Sequence, residues 1–264
     1  MIGVRTGAKV GVRPGVVVGI GGDQMSPAGG VNRDATSGKY MPLTAAQFAA
    51  LSLVQPDEIW TGVPVGGDLV GLVGGSTLTG ANAPLSGQAV TGWASTGVRG
   101  NASTGNQRFE GTGPNPSTTD VAVLLYVGNM VPDVTNRPLF ACGTSPSDFG
   151  LSLYDAPGIT IRGRSVGGVS DSVGVYTTGG HAILIANDVT NTRAVWVSDV
   201  ETRAMTYGAA TSGTAFGLGA IGGGTFAAAT VLYMARFVGA SARALSTSVL
   251  AKPFLQALNW TIPW

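Results

Sequence analysis

The chain has 264 residues, enough for one large all-β domain or two smaller ones. Only 11% of the residues are charged and the formal net charge is +1, which excludes the basic domain or stripe of a nucleic-acid binder. A single cysteine, Cys142, excludes an intrachain disulfide and a cysteine-cluster metal site, and no apolar run of about 18 residues offers a transmembrane helix. So little charge, with 42 glycines, suits a protein whose surface is covered by neighbours in a homo-oligomer or larger assembly. A small-residue β protein with Ser/Thr-rich loops is the alternative.

The N-terminus is a repeat: glycine falls at every fourth position, at Gly3, Gly7, Gly11, Gly15 and Gly19. A helix is disfavoured, since each interior glycine costs about 1 kcal/mol against alanine and Pro14 about 3 kcal/mol. In an extended strand, period four puts every glycine on one face together with Arg5, Lys9 and Arg13. The opposite face carries Val4, Val10, Val12, Val16 and Val18. These eight non-glycine residues are the candidate partner-binding set of an extended arm that spans on the order of 55–60 Å at ~3.3 Å per residue. The stretch Val16–Val18 is too short for the core of a signal peptide, so synthesis in the cytoplasm is expected. Residues 22–39 read as a polar linker with turns, so residues 1–39 are expected to be arm and linker, and 40–264 the folded domain.

The folded domain opens with a helical signal over Leu43–Leu53, with Thr44 as N-cap, Gln47 three residues on, and Pro56 as its stop. A strand is expected at Glu58–Thr61. Short apolar runs broken by glycine follow at Asp68–Val73, Ser76–Thr79, Gln88–Trp93 and Gln107–Glu110, with Trp93 and Phe109 as core candidates. Val121–Val127 is apolar at both parities, as in a strand covered on both faces. Further strands are expected at Pro138–Cys142, Phe149–Tyr154, Ile159–Arg164, Ser172–Tyr176, Thr202–Tyr207, Ala215–Ala220 and Val231–Val238. His181–Asn187 and Arg193–Asp199 form a hairpin across a turn at Asp188–Thr192. A helix over Leu245–Leu258, with Ser246 as N-cap and Pro253 inside, ends the domain. The absence of βαβ alternation gives an all-β fold of two packed antiparallel sheets, a jelly-roll sandwich with two short helices.

The order Leu139-Phe140-x-x-Gly143, Phe149-x-Leu151-x-Leu153, Gly180-His181-x-Ile183-x-Ile185, Arg193-x-Val195-x-Val197, Phe216-x-Leu218-Gly219, Tyr233-x-Ala235-x-Phe237, Ala244-Leu245-Ser246 resembles the laminin G-like, concanavalin A-like jelly roll. The resemblance covers about residues 120–258, with 40–119 as a lead-in. The lead-in run Tyr40-x-Pro42, Pro56-Asp57-x-x-Trp60, Gly67-x-Leu69, Leu78-Thr79 and Val90-x-Gly92-Trp93 is similar to the front of laminin G-like proteins encoded by tailed bacteriophages. The resemblance implies a virion location and a structural role as capsid decoration, fibre or tail appendage. Two departures stand beside it. The carboxylates that bind calcium in many members are scattered here, and Gly180 stands where the family often has tryptophan.

Catalytic vocabulary is sparse. His181 is the one histidine and opens an expected central strand, where a structural role suits it; Glu58, Glu110 and Glu201 are isolated from one another. Gly19–Gly22 lacks the strand–loop–helix context of a phosphate loop. The expectation is therefore a non-enzymatic protein without catalytic residues, cofactor or metal, whose partners are capsid or other virion proteins and copies of itself. A free lectin-like module is the alternative, with Trp196 and Tyr207 as candidate contacts to a cell-surface glycan.

Overall fold

The computed structural model describes residues 39–50, 53–100, 107–130, 137–143, 149–155, 159–165, 170–176, 181–189, 192–197, 200–206, 213–219 and 229–258. The helix α1 (Ala45–Ala50) leads into β1 (Glu58–Thr61), β2 (Leu69–Val70), β3 (Thr77–Ala81), β4 (Leu85–Ala89), β5 (Thr96–Arg99) and β6 (Arg108–Thr112). There follow β7 (Val121–Gly128), β8 (Arg137–Gly143), β9 (Phe149–Asp155), β10 (Ile159–Ser165), β11 (Ser170–Tyr176) and β12 (His181–Asp188). The chain continues through β13 (Thr192–Val197), β14 (Val200–Thr206), β15 (Ala215–Gly219) and β16 (Thr230–Val238), then α2 (Ala240–Ala244) and α3 (Ser248–Leu258).

The strands make two antiparallel sheets, an all-β sandwich. One runs β14-β13-β12-β7-β16-β5-β4, with β1 also paired to β16; the other runs β11-β10-β9-β8-β15-β6-β3-β2. The lead-in strands are shared between the sheets: β1, β4 and β5 extend the first, while β2, β3 and β6 extend the second.

The apolar parity of each strand decides the layering. In β7 every residue is buried. Val121, Val123, Leu125 and Val127 fill the space between the sheets with Phe109, Phe140 and Phe216. Ala122, Leu124 and Tyr126 face a second layer with Phe48, Trp93, Phe237 and Phe254, so the first sheet is covered on its outer side too. Each large side chain buried in this way contributes about 1.5–3 kcal/mol. A register shift in β16 between Val231 and Tyr233 sends both Leu232 and Tyr233 outward, while Val231 and Met234 stay between the sheets. Across the outer layer Phe48 stacks on Phe254 at 6.1 Å and meets Phe237 edge-on at 6.2 Å. The Tyr233 hydroxyl donates to the Leu43 carbonyl at 3.1 Å.

Helix ends follow local chemistry. Thr44 N–H donates to Gln47 Oε1 at 2.8 Å and Gln47 N–H donates to Thr44 Oγ1 at 3.3 Å, the reciprocal capping box that the sequence spells. The C-terminal region differs from expectation: among the described residues two helices, α2 and α3, stand where one was expected over Leu245–Leu258. Ser246 does not cap the last one: its hydroxyl donates back to the Arg243 carbonyl at 2.7 Å and closes α2. The new start comes at Thr247, whose carbonyl accepts from Leu250 and Ala251. Pro253 is tolerated inside α3 because it lies on the exposed face, away from Phe254, Leu255 and Leu258. Strand β5 was not foreseen, and the run expected at Gln88–Trp93 is instead β4 at Leu85–Ala89, with Trp93 in the turn after it. Trp93 packs in the outer layer, its ring 4.3 Å from that of Tyr126.

Candidate binding surfaces

Two surfaces stand out among the described residues. The first lies on the outer face of the second sheet. Cα register places Thr79 opposite Glu110, Ala81 opposite Arg108, and Ala215 opposite Thr112. Arg108 and Glu110 are two positions apart in β6 and share one face, while Phe109 between them enters the core. Arg108 Nε donates to Glu110 Oε2 at 2.6 Å, with both side chains partly exposed. Around this pair Thr79, Thr112 and Thr214 complete a shallow depression of about 450 Å³. The guanidinium offers donors, the carboxylate acceptors, and the threonine hydroxyls either. Such a set matches an uncharged polyhydroxyl ligand that presents donors and acceptors on adjacent carbons.

The second surface is the segment 62–76, folded back on itself around β2. Val65 and Asp68 exchange backbone hydrogen bonds of 2.8 and 3.1 Å, Gly71 N–H donates to Ser76 O at 2.8 Å, and Leu72 N–H donates to Ile59 O at 2.8 Å. Leu69 is buried, yet Val63, Val65, Val70, Leu72 and Val73 are all exposed, Val65 to 67% and Leu72 to 60%. Isolated exposed aliphatics are ordinary, but five within one short segment make an apolar patch.

Glu58 holds this segment from beneath. Its carboxylate is fully buried and accepts four backbone N–H groups: Ile59 at 3.1 Å, Val73 at 2.8 Å, Gly74 at 3.0 Å and Ser76 at 2.8 Å. Burial pushes its pKa up, but the amides of Ser76, Val73, Gly74 and Ile59 together outweigh that and hold it below the ordinary glutamate value. Gly71 and Gly74 make the close wrap feasible, because a Cβ on Gly74 would stand 2.8 Å from Glu58 Oε2 and one on Gly71 would strike the carboxylate itself. Arg236, opposite Glu58 in the β1–β16 ladder, lays its guanidinium over Trp60 at 5.3 Å and Phe216 at 5.2 Å. Its burial lowers its pKa against the attraction of Glu58 first and Asp57 second, and among the described residues its Nε has no acceptor. In the sequence Glu58 stands as one isolated acid. The signal that could have found its role is the glycine-rich segment Gly71–Ser76 a short distance downstream.

The arm residues Val4, Arg5, Lys9, Val10, Val12, Arg13, Val16 and Val18 lie outside the described residues, as does Tyr207. Trp196 is in β13, with Leu184 of β12 on one side and Glu201 of β14 on the other, in the first sheet and therefore not beside the Arg108–Glu110 depression. His181 opens β12 opposite Val127, and Cys142 is buried, its thiol donating to the Pro114 carbonyl at 3.3 Å. No group of three or more His, Cys, Asp or Glu side chains gathers as a metal site among the described residues, and no helix there is long and apolar enough to cross a membrane.

No family model matches the sequence, and no curated protein matches it. Solved structures do share the fold. A Trypanosoma rangeli sialidase is similar over 75% of this chain and 33% of its own, with 13% identity and a TM-score of 0.50. The receptor binding domain of botulinum neurotoxin C/D mosaic serotype is similar over 76% of this chain and 51% of its own, with 8% identity and a TM-score of 0.51. This chain thus spans about a third of the sialidase and half of the neurotoxin domain. These likenesses show a β-sandwich fold and nothing finer. They also correct the expectation of a non-enzymatic protein: sialidases stand among the chains that contain this sandwich, so the fold gives no ground for excluding an enzyme. At such identity no activity carries over.

Proposed function

We propose that the chain is a laminin G-like display protein of a tailed-phage virion, tethered to the particle by its N-terminal arm and exposing the sandwich for assembly or adhesion. The observation that supports this reading is that both apolar layers are filled from Tyr40 onward, so the sandwich has its core in hand before the arm is counted. An arm with a valine face and three cations is then available for another surface. A variant lacking residues 1–38 is expected to keep the far-UV spectrum and melting temperature of the full chain while entering particles at least about tenfold less, the equivalent of 1.4 kcal/mol. Incorporation at full occupancy would remove the arm from this role.

A second reading is favoured by the Arg108–Glu110 depression: a glycan-binding module. Lacking an aromatic platform among its lining residues, the depression suits weak single-site binding raised by display in many copies. Arg108→Ala is expected to weaken binding of neutral glycosides by about tenfold or more, measured by titration followed in NMR spectra. If the full chain binds no glycan, or the variant binds as well, this reading is wrong.

A further inference from the structure

We propose that the exposed aliphatic patch of segment 62–76 is the dock for the N-terminal arm of a second copy of this chain. The inference deepens the reading above and rests on its docking arm. Three observations converge on this occupant.

The first is apolar complementarity. Val63, Val65, Val70, Leu72 and Val73 are exposed although the segment that bears them is pinned by the Glu58 carboxylate, so these side chains face outward from a fixed frame. The arm offers a matching row, with Val10, Val12, Val16 and Val18 on one parity of an extended strand. The second is charge. Between residues 40 and 98 the sequence has no Lys, Arg or His, while it has Asp57, Glu58 and Asp68. Residues 1–22 show the reverse, with Arg5, Lys9 and Arg13 and no acid. Glu58 is buried and already faced by Arg236, so the charge that segment 62–76 itself carries is Asp68, opposite in sign to the arm, which steers association.

The third is reach. Tyr40 is held to the domain by its N–H and C=O, which bond Gly92 O at 2.7 Å and Ala94 N at 2.9 Å. From there residues 21–39 can extend roughly 60 Å at ~3.3 Å per residue, enough to cross to a neighbouring subunit before the valine row begins. An exchange of arms between two copies satisfies both patches at once and closes as a symmetric pair.

Two measurements on the full-length chain test this. In the first, chains with Val10→Cys are mixed with chains with Leu72→Cys under mild oxidation; the natural Cys142 is buried and does not compete. A disulfide-linked pair of chains is expected, and none when Leu72→Cys is replaced by Leu250→Cys, an exposed site on α3. A chain carrying both substitutions that links only within itself would overturn the proposal, because the arm would then dock on its own domain. In the second, the double variant Val65→Asp, Leu72→Asp is expected to raise the dimer dissociation constant by at least about tenfold in sedimentation, with an unchanged melting temperature. If removal of residues 1–38 dissociates the dimer and the double variant does not, the patch is wrong while the docking arm stands. If full-length chains are monomeric at all concentrations, the dock between copies is wrong, and particle incorporation alone decides the arm.

Discussion

Replacing Glu58 with glutamine is expected to destabilise the protein by about 3 kcal/mol at neutral pH, within the range found when one partner of a buried charge arrangement is removed. Three of the four amides, from Ile59, Val73 and Gly74, bond Oε1, and the fourth, from Ser76, bonds Oε2. Glutamine can keep an oxygen toward three of them, but its amide nitrogen then meets the Ser76 N–H, donor against donor. The charge that faces the Arg236 guanidinium is lost as well. The sign of the pH effect follows from the lowered pKa. A carboxylate stabilised in the folded state contributes fully above its ordinary value of 4.5, and that contribution disappears as pH falls through the lower folded value. Urea unfolding of both proteins across pH should therefore show their difference largest at neutral pH and shrinking in acid. A gap that stays constant down through the carboxylate range would mean that Glu58 acts by shape and not by charge.

Phe216→Ala is expected to cost about 3–5 kcal/mol, as for other buried aromatic truncations. Phe216 is fully buried in β15, 5.5 Å from the Trp60 ring and 5.2 Å from that of Phe140. It also forms one of the two faces under the Arg236 guanidinium. Gly113 lies so close that a Cβ there would stand 2.5 Å from Phe216 Cβ, so the backbone is already pressed against this ring and has little side chain to offer in its place. The midpoint of urea unfolding should fall with the slope unchanged. Because Glu58 and Phe216 both act on Arg236, the double variant should depart from additivity, whereas distant pairs should not. A loss under about 1 kcal/mol would show that the layer between the sheets collapses to fill the space.

Much of the fold is legible wherever one apolar pattern decides it. Val121–Val127 announces burial on both faces, and the hairpin pairing Ile183 with Val197 and Asp188 with Thr192 follows from two apolar runs around a polar turn. The capping box at Thr44 and Gln47 is written in two residues. What the pattern hides is whatever depends on distant partners. Thr96–Arg99 reads as a polar, glycine-containing stretch, and it becomes a strand between two partners, β4 just upstream and the distant Thr230 and Val231 of β16. Trp93 is core as expected, but its layer exists only because helices at both ends of the chain cover the first sheet. Of the candidate sites, Arg108 and Glu110 fall together through strand parity, a relation visible in β6 once that strand is known. The cage around Glu58 is a loop wrapped on one acid, and local sequence carries no period for that. The absence of βαβ alternation led to the correct all-β sandwich, while the scarcity of catalytic residue types led to an expectation against an enzyme that the fold does not support.

The position of β16 has a consequence for how this chain is made. It is the last strand among the described residues, yet it lies inside the first sheet, between β7 on one side and β1 and β5 on the other. The bonds from Tyr233 to Leu43 and from Val238 N–H to the Asp57 carboxylate join segments separated by 190 and 181 residues. Until residues 230–238 have left the ribosome, β7 keeps an open apolar edge, and β1 and the β4–β5 pair have no place in the first sheet. Closure of the first sheet is thus held back until residues 230–238 are made, and is slowed by the long loops it must close. A nascent or C-terminally truncated chain is a half-open sheet, and such an edge pairs with whatever strand it meets first.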